Sequence, residues 1–78
     1  MQALVATLRC PISGGIMQDP VILRCSGVSY ERSVLDAWIE VEGTDPGTGE
    51  PLEDVRVVDN PCFKSLIQAV VARLNLGV

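Results

Sequence analysis

CPISGGIMQDPVILRCSGVSYERS, residues 10–33, is the stretch whose reading decides the fold. Pro11, Pro20 and the paired Gly14 and Gly15 break any regular element, so Cys10 to Pro20 reads as an irregular but patterned loop. Two short β-prone runs follow, Val21-Ile22-Leu23 and Val28-Ser29-Tyr30. Between them lies the turn-forming Arg24-Cys25-Ser26-Gly27, which predicts a small hairpin. Downstream, Tyr30 through Glu42 is expected to be a helix, with Val34, Leu35, Trp38, Ile39 and Val41 on its apolar side. Ser29 is the candidate cap, and Gly43 the C-terminal stop. A second irregular loop occupies Gly43 to Pro51, and a short third strand is expected from Val55 to Val58. The clearest periodicity lies beyond it. Phe63, Leu66, Ile67, Val70, Val71 and Leu74 recur at three-and-four spacing, Asn60 suits an N-cap, Pro61 suits the first helical position, and Gly77 follows the end. The order of loop, hairpin, helix, loop, strand and helix predicts a compact α+β unit with two exposed loops flanking a central helix.

The chain has 78 residues, enough for one domain and close to the lower limit at which an apolar core offsets chain entropy. Its three cysteines, Cys10, Cys25 and Cys62, cannot close a disulfide framework, and no secretory leader or membrane span is legible. A soluble, intracellular location, cytoplasmic or nuclear, is expected. Ten acidic against six basic side chains, no histidine and a net charge of −4 argue against nucleic acid as a ligand, as do only three aromatic residues. A basic protein surface fits the charge better.

Three kinds of site chemistry can be weighed. Structural zinc needs cysteine or histidine pairs close in sequence, and none is present. Cys10-Pro11-Ile12-Ser13 has the outline of such a pair with serine in second place, and Asp45-Pro46-Gly47-Thr48 repeats it with oxygen-bearing side chains. No metal and no cofactor are therefore expected. Nucleophilic catalysis lacks a histidine base; Cys25 beside Arg24 is the only candidate thiolate, while Cys10 and Cys62 read as core. Gly43 to Gly49 is glycine-rich but has no lysine and no following helix for a phosphate loop, and Glu50, Glu53 and Asp54 read as solvated charges. No catalytic residue is expected, which leaves binding.

The residues nevertheless form a familiar series: Cys10-Pro11-Ile12-Ser13, Met17-Gln18-Asp19-Pro20-Val21, Ser29-Tyr30-Glu31-Arg32-Ser33, Trp38-Ile39, Asp45-Pro46 and Pro51-Leu52. In that order and spacing the chain resembles the U-box, a zinc-free relative of the RING finger. Asn60-Pro61 with Lys64-Ser65-Leu66-Ile67 resembles the start of its closing helix. The resemblance places the domain at residues 8–76, with 1–7 as a flexible or short N-terminal extension. It implies that hydrogen bonds and salt bridges replace the zinc ions, with Ser13, Asp19, Glu31, Asp45 and Thr48 as candidates for that network. Each neutral bond contributes about 1 kcal/mol where zinc supplies about 10 or more, so several must cooperate.

The resemblance also implies a function. Such domains act in ubiquitin ligases as noncovalent platforms: they bind a ubiquitin-loaded ubiquitin-conjugating enzyme and favour transfer to a substrate lysine, by positioning rather than covalent catalysis. By position, Ile12, Gly14, Trp38, Pro46 and Pro51 would form the contact surface. Read without the family, Ile12 and Trp38 also suit a core and Pro51 a plain loop. Two departures weaken the match. Gly14 stands where the family often has a bulky apolar residue, and Gly49 where active members carry a basic one, for which Arg56 or Arg24 would have to compensate. Glu40, Glu42 and Asp45 are candidates to attract a basic helix of the conjugating enzyme. Substrates would be bound through other domains, and a homodimer through Val28, Val57 or the C-terminal helix is open. The alternatives are a degenerate U-box-like interaction or dimerisation module, a zinc-dependent domain, or a covalent ligase acting through Cys25.

Overall fold

The computed structural model describes residues 2–74. Six elements follow one another: α1 (Gln2–Thr7), β1 (Pro20–Leu23), β2 (Ser29–Glu31), α2 (Arg32–Glu42), β3 (Val57–Asp59) and α3 (Pro61–Leu74). The strands make one antiparallel sheet in the order β2-β1-β3, with Val21 opposite Tyr30 on one side and Ile22 opposite Val58 on the other. The expected α+β unit, with its hairpin, central helix, third strand and closing helix, is the fold.

β1 is the central strand although it begins with proline. A proline at the first strand position forfeits one donor without interrupting the ladder, and the Pro20 carbonyl still accepts from the Asn60 amide at 3.4 Å. The hairpin closes because the Leu23 carbonyl accepts from the amides of Ser26 and Gly27, and Gly27 takes the left-handed φ of 74° that the reversal needs.

Alternation places Val21 and Leu23 on the covered face of β1, where they join Leu8, Cys10, Met17, Tyr30, Leu35 and Ile67 in one buried cluster. Ile12, Ile16, Val34, Ile39, Leu52, Val57, Phe63, Val70 and Val71 pack around it. The core therefore draws on both loops and all three strands as well as α2 and α3.

Several sequence expectations need correcting. α2 starts at Arg32, because Tyr30 and Glu31 pair with β1; Ser29 is likewise a strand residue, and Glu31 occupies the cap position without a side-chain capping bond. Val41 is 79% exposed, since 100° per residue carries it away from Leu35. Gly43 ends α2 as expected, at a left-handed φ of 65° with its amide on the Ile39 carbonyl. The third strand is Val57–Asp59, displaced from Val55 to Val58, and Val55 is exposed. Asn60 caps α3 through Oδ1, which accepts from the Phe63 amide at 3.2 Å. Ile67 is its buried residue, while Leu66 and Cys62 face outward, so neither belongs to the core. Gly77 lies outside the described residues.

Candidate functional site

The two irregular loops are copies of one turn. In the first, the Cys10 amide donates to the Gly15 carbonyl and the Gly14 amide to the Cys10 carbonyl, each at 2.8 Å. In the second, the Asp45 amide donates to the Glu50 carbonyl at 2.8 Å and the Gly49 amide to the Asp45 carbonyl at 2.7 Å. Gly14 and Gly49 take the same left-handed conformation, with φ of 77° and 78°. The hydroxyl oxygens of Ser13 and Thr48 each accept, at 3.3 Å, from the amide two residues on. Bridges Arg9↔Ile16 and Thr44↔Pro51 close both turns at the same offset. The sequence carries the pattern as Cys-Pro-Ile-Ser-Gly-Gly and Asp-Pro-Gly-Thr-Gly-Glu.

Each turn begins with a buried acceptor, Cys10 or Asp45. Burial alone would raise the Cys10 thiol, but N–H groups of Glu31, Ser13 and Ile12 and the Ser13 hydroxyl turn on the sulfur and bring its pKa below the ordinary value. Asp45 Oδ1 accepts from the Gly47 amide at 2.7 Å. Hydrogen-bond donors of the chain, from the turn itself and for Cys10 also from β2, thus satisfy the side chain that opens each turn, a task that a metal ion performs in a zinc knuckle. Among the described residues no three Cys, His, Asp or Glu side chains come together as metal ligands. Tyr30 is buried in the core cluster, its hydroxyl close to Gly47 of the second turn. Its phenol is raised chiefly by burial, then by the nearby Asp45, Cys10 and Cys25.

The remaining members of the candidate network lie at the junction of first loop, sheet and α2. Glu31 Oε2 accepts from the amides of Gln18 at 2.9 Å and Asp19 at 3.1 Å. Asp19 Oδ2 accepts from Arg32 Nε at 2.8 Å, and a second guanidinium nitrogen bonds Asp59 at the end of β3. The Asp19 carboxyl is held below its ordinary value first by that hydrogen bond, and the guanidinium is raised in turn. Arg32 and Asp59 are hub residues that sequence reasoning missed, because only the fold brings positions 19, 32 and 59 together. The five candidates therefore fall into groups: the Cys10 sulfur ties Ser13 to the Glu31 backbone, the Glu31 carboxylate holds the Asp19 amide while the Asp19 carboxylate binds Arg32, and Asp45 and Thr48 bond within the second loop.

The candidate contact residues divide between the turns. Trp38 is half-buried on α2, and its Nε1–H donates to the Thr44 carbonyl at 2.9 Å and hydroxyl at 3.3 Å. Pro46 is half-buried two residues on, and Pro51 is exposed opposite Thr44, so these three surround the root of the second loop. Ile12 is half-buried at the first turn and packs on the rim of the core. Gly14 is exposed, with open space where a Cβ would stand, and the same holds at Gly49. Val57 is partly buried against the core, whereas Val28 is 40% exposed. Asp54, expected to be solvated and unpartnered, binds Arg56 Nε at 2.9 Å and the Arg56 amide at 2.9 Å, and its pKa falls to about 2.

The U-box domain family model matches residues 6–73. U-box domain-containing protein 25 of Arabidopsis thaliana is 40% identical over 73 residues, covering 90% of this chain and 17% of that protein. U-box domain-containing protein 17 of the same plant is 48% identical over 60 residues, 74% of this chain and 8% of its own. The WD repeat, SAM and U-box domain-containing protein 1 of Danio rerio is 42% identical over 59 residues, 74% and 12% respectively. The chain thus spans a small part of the curated relatives it matches. With both turns, the sheet, α2 and all but the last residue of α3 inside the matched range, the chain belongs to the U-box family.

Proposed function

We propose that the domain docks a ubiquitin-conjugating enzyme noncovalently and promotes transfer of its ubiquitin to a substrate lysine. The observation that supports this reading best is the pair of backbone-braced turns that flank α2 in the chain. The first carries Ile12 and the second Pro46 and Pro51, with the half-buried Trp38 between them in sequence and tied to the second. Side chains on braced turns enter a complex with little further loss of entropy, which suits a platform whose contribution is orientation. On this reading the reacting bond is the conjugating enzyme's own thioester, and the domain contributes orientation.

Charge supports a basic partner. Glu40 and Glu42 are exposed in the last turn of α2, which carries no basic residue to offset the negative end of the helix dipole. Their placement costs stability in the free domain and is relieved by an incoming cation. Asp45 does not join them, being buried and held by Gly47.

A second reading, a U-box that serves only for interaction or dimerisation, is favoured by Gly14 and Gly49. Both positions leave open space where family members place a contact side chain, and Arg56, one candidate to compensate, is engaged by Asp54. An NMR titration with a panel of ubiquitin-conjugating enzymes separates the two. Localised shifts at Ile12, Gly14, Trp38, Gly47 and Gly49 are expected, and a folded sample giving none with any member of the panel rejects the first reading.

A further inference from the structure

Trp38 Nε1–H is the only hydrogen-bond donor of the indole, and it is shared between two acceptors on one residue, the carbonyl and the hydroxyl of Thr44. Thr44 is itself fixed. It follows Gly43, whose carbonyl accepts from the Leu52 amide at 3.0 Å, and it bridges Pro51 across the loop root. The indole is thereby tied to the hydrogen-bonded root of the second turn. A half-buried aromatic ring without such a bond would populate alternative χ2 settings, because that torsion is broad. Only some of those settings would present the same ring edge to a partner.

We propose that Thr44 is a positioning residue for Trp38: its hydroxyl and carbonyl set the indole orientation that the conjugating enzyme meets. The inference rests on the docking function proposed above. Pre-setting one ring removes an ordering cost from binding and leaves the transfer step untouched, so its loss raises KM for the loaded conjugating enzyme and spares kcat. A purely structural bond behaves differently, since its loss lowers the folded fraction and hence the apparent kcat.

The test uses Thr44→Val, which removes the hydroxyl but keeps shape and β-branching, and Thr44→Ser, which keeps the hydroxyl. Trp38 is the single tryptophan, so the indole N–H resonance and the tryptophan fluorescence report on this ring without overlap. Thr44→Val should displace the indole resonance, speed its hydrogen exchange and raise KM about two- to tenfold, the range of one neutral hydrogen bond. Thr44→Ser should match the wild type in all three. The inference is overturned if Thr44→Val moves the indole signal without changing KM, if kcat falls instead, or if Ser and Val weaken binding equally. A wild-type domain that binds no conjugating enzyme overturns the docking function, and this inference with it. That case is told apart by failing before any substitution is made.

Discussion

Gly14 and Gly49 show how one residue can satisfy a turn and deprive a surface. Both sit at φ near +78°, where a side chain costs about 1 to 2 kcal/mol, and both face open space, so nothing else resists a larger residue. Gly14→Leu should therefore lower stability by about that amount and strengthen binding to a conjugating enzyme several-fold by restoring an apolar contact, measured by denaturant melts and calorimetry. Unchanged affinity would show that position 14 lies off the interface. Ile12 tests the opposite face of the argument. It is only half-buried, so Ile12→Ala removes less apolar contact than a full core truncation and should cost about 1 to 2 kcal/mol. Binding should nonetheless be abolished. Global unfolding of that variant would reassign Ile12 to the core.

At the scale of elements, the junction around Arg32 fastens the first loop, the sheet and the start of α2, which has no side-chain cap of its own. Asp19 is depressed in the folded domain, so its contribution is fully present above its unfolded pKa of 3.8 and is lost as pH falls through the lower folded value. Asp54, at about 2 in the fold, follows the same sign. Thermal melts should show stability declining from about pH 5 downward. Asp19→Asn should flatten part of that decline, and an unaltered acid profile would remove Asp19 from the linkage. Because Arg32 and both its partners are partly exposed, added salt should weaken the junction.

At the scale of the molecule, stability comes from one small apolar core, with two hydrogen-bonded turns in place of metal-bound loops. A chelator should leave the melting temperature unchanged, and a stoichiometric metal content found by elemental analysis would overturn the proposal that hydrogen-bond donors of the chain, without a metal, satisfy Cys10 and Asp45. Elements were legible in the sequence wherever local chemistry sets them. The hairpin, the glycine stop at Gly43 and the Asn60 cap of α3 all depend on neighbours in the chain. The likeness of Cys10-Pro-Ile-Ser to Asp45-Pro-Gly-Thr was visible too, and it marked the two turns. Periodicity misjudged Val41 and Leu66, because apolar character does not say which residue at a helix margin meets the core. It also extended α2 into Tyr30 and Glu31, where pairing with β1 prevails over helix propensity. Sequence alone thus determined the hairpin, the presence of α2 and α3, the family pattern and the residue types of the turns, since turns, caps and hairpins depend on contacts a few residues apart. Only tertiary structure decided that Asp19, Arg32 and Asp59 meet, that Asp45 is buried, and that Trp38 is tied to Thr44. Each depends on the packing of a helix against a sheet or a loop, where charge and direction in space, not order along the chain, determine the partner.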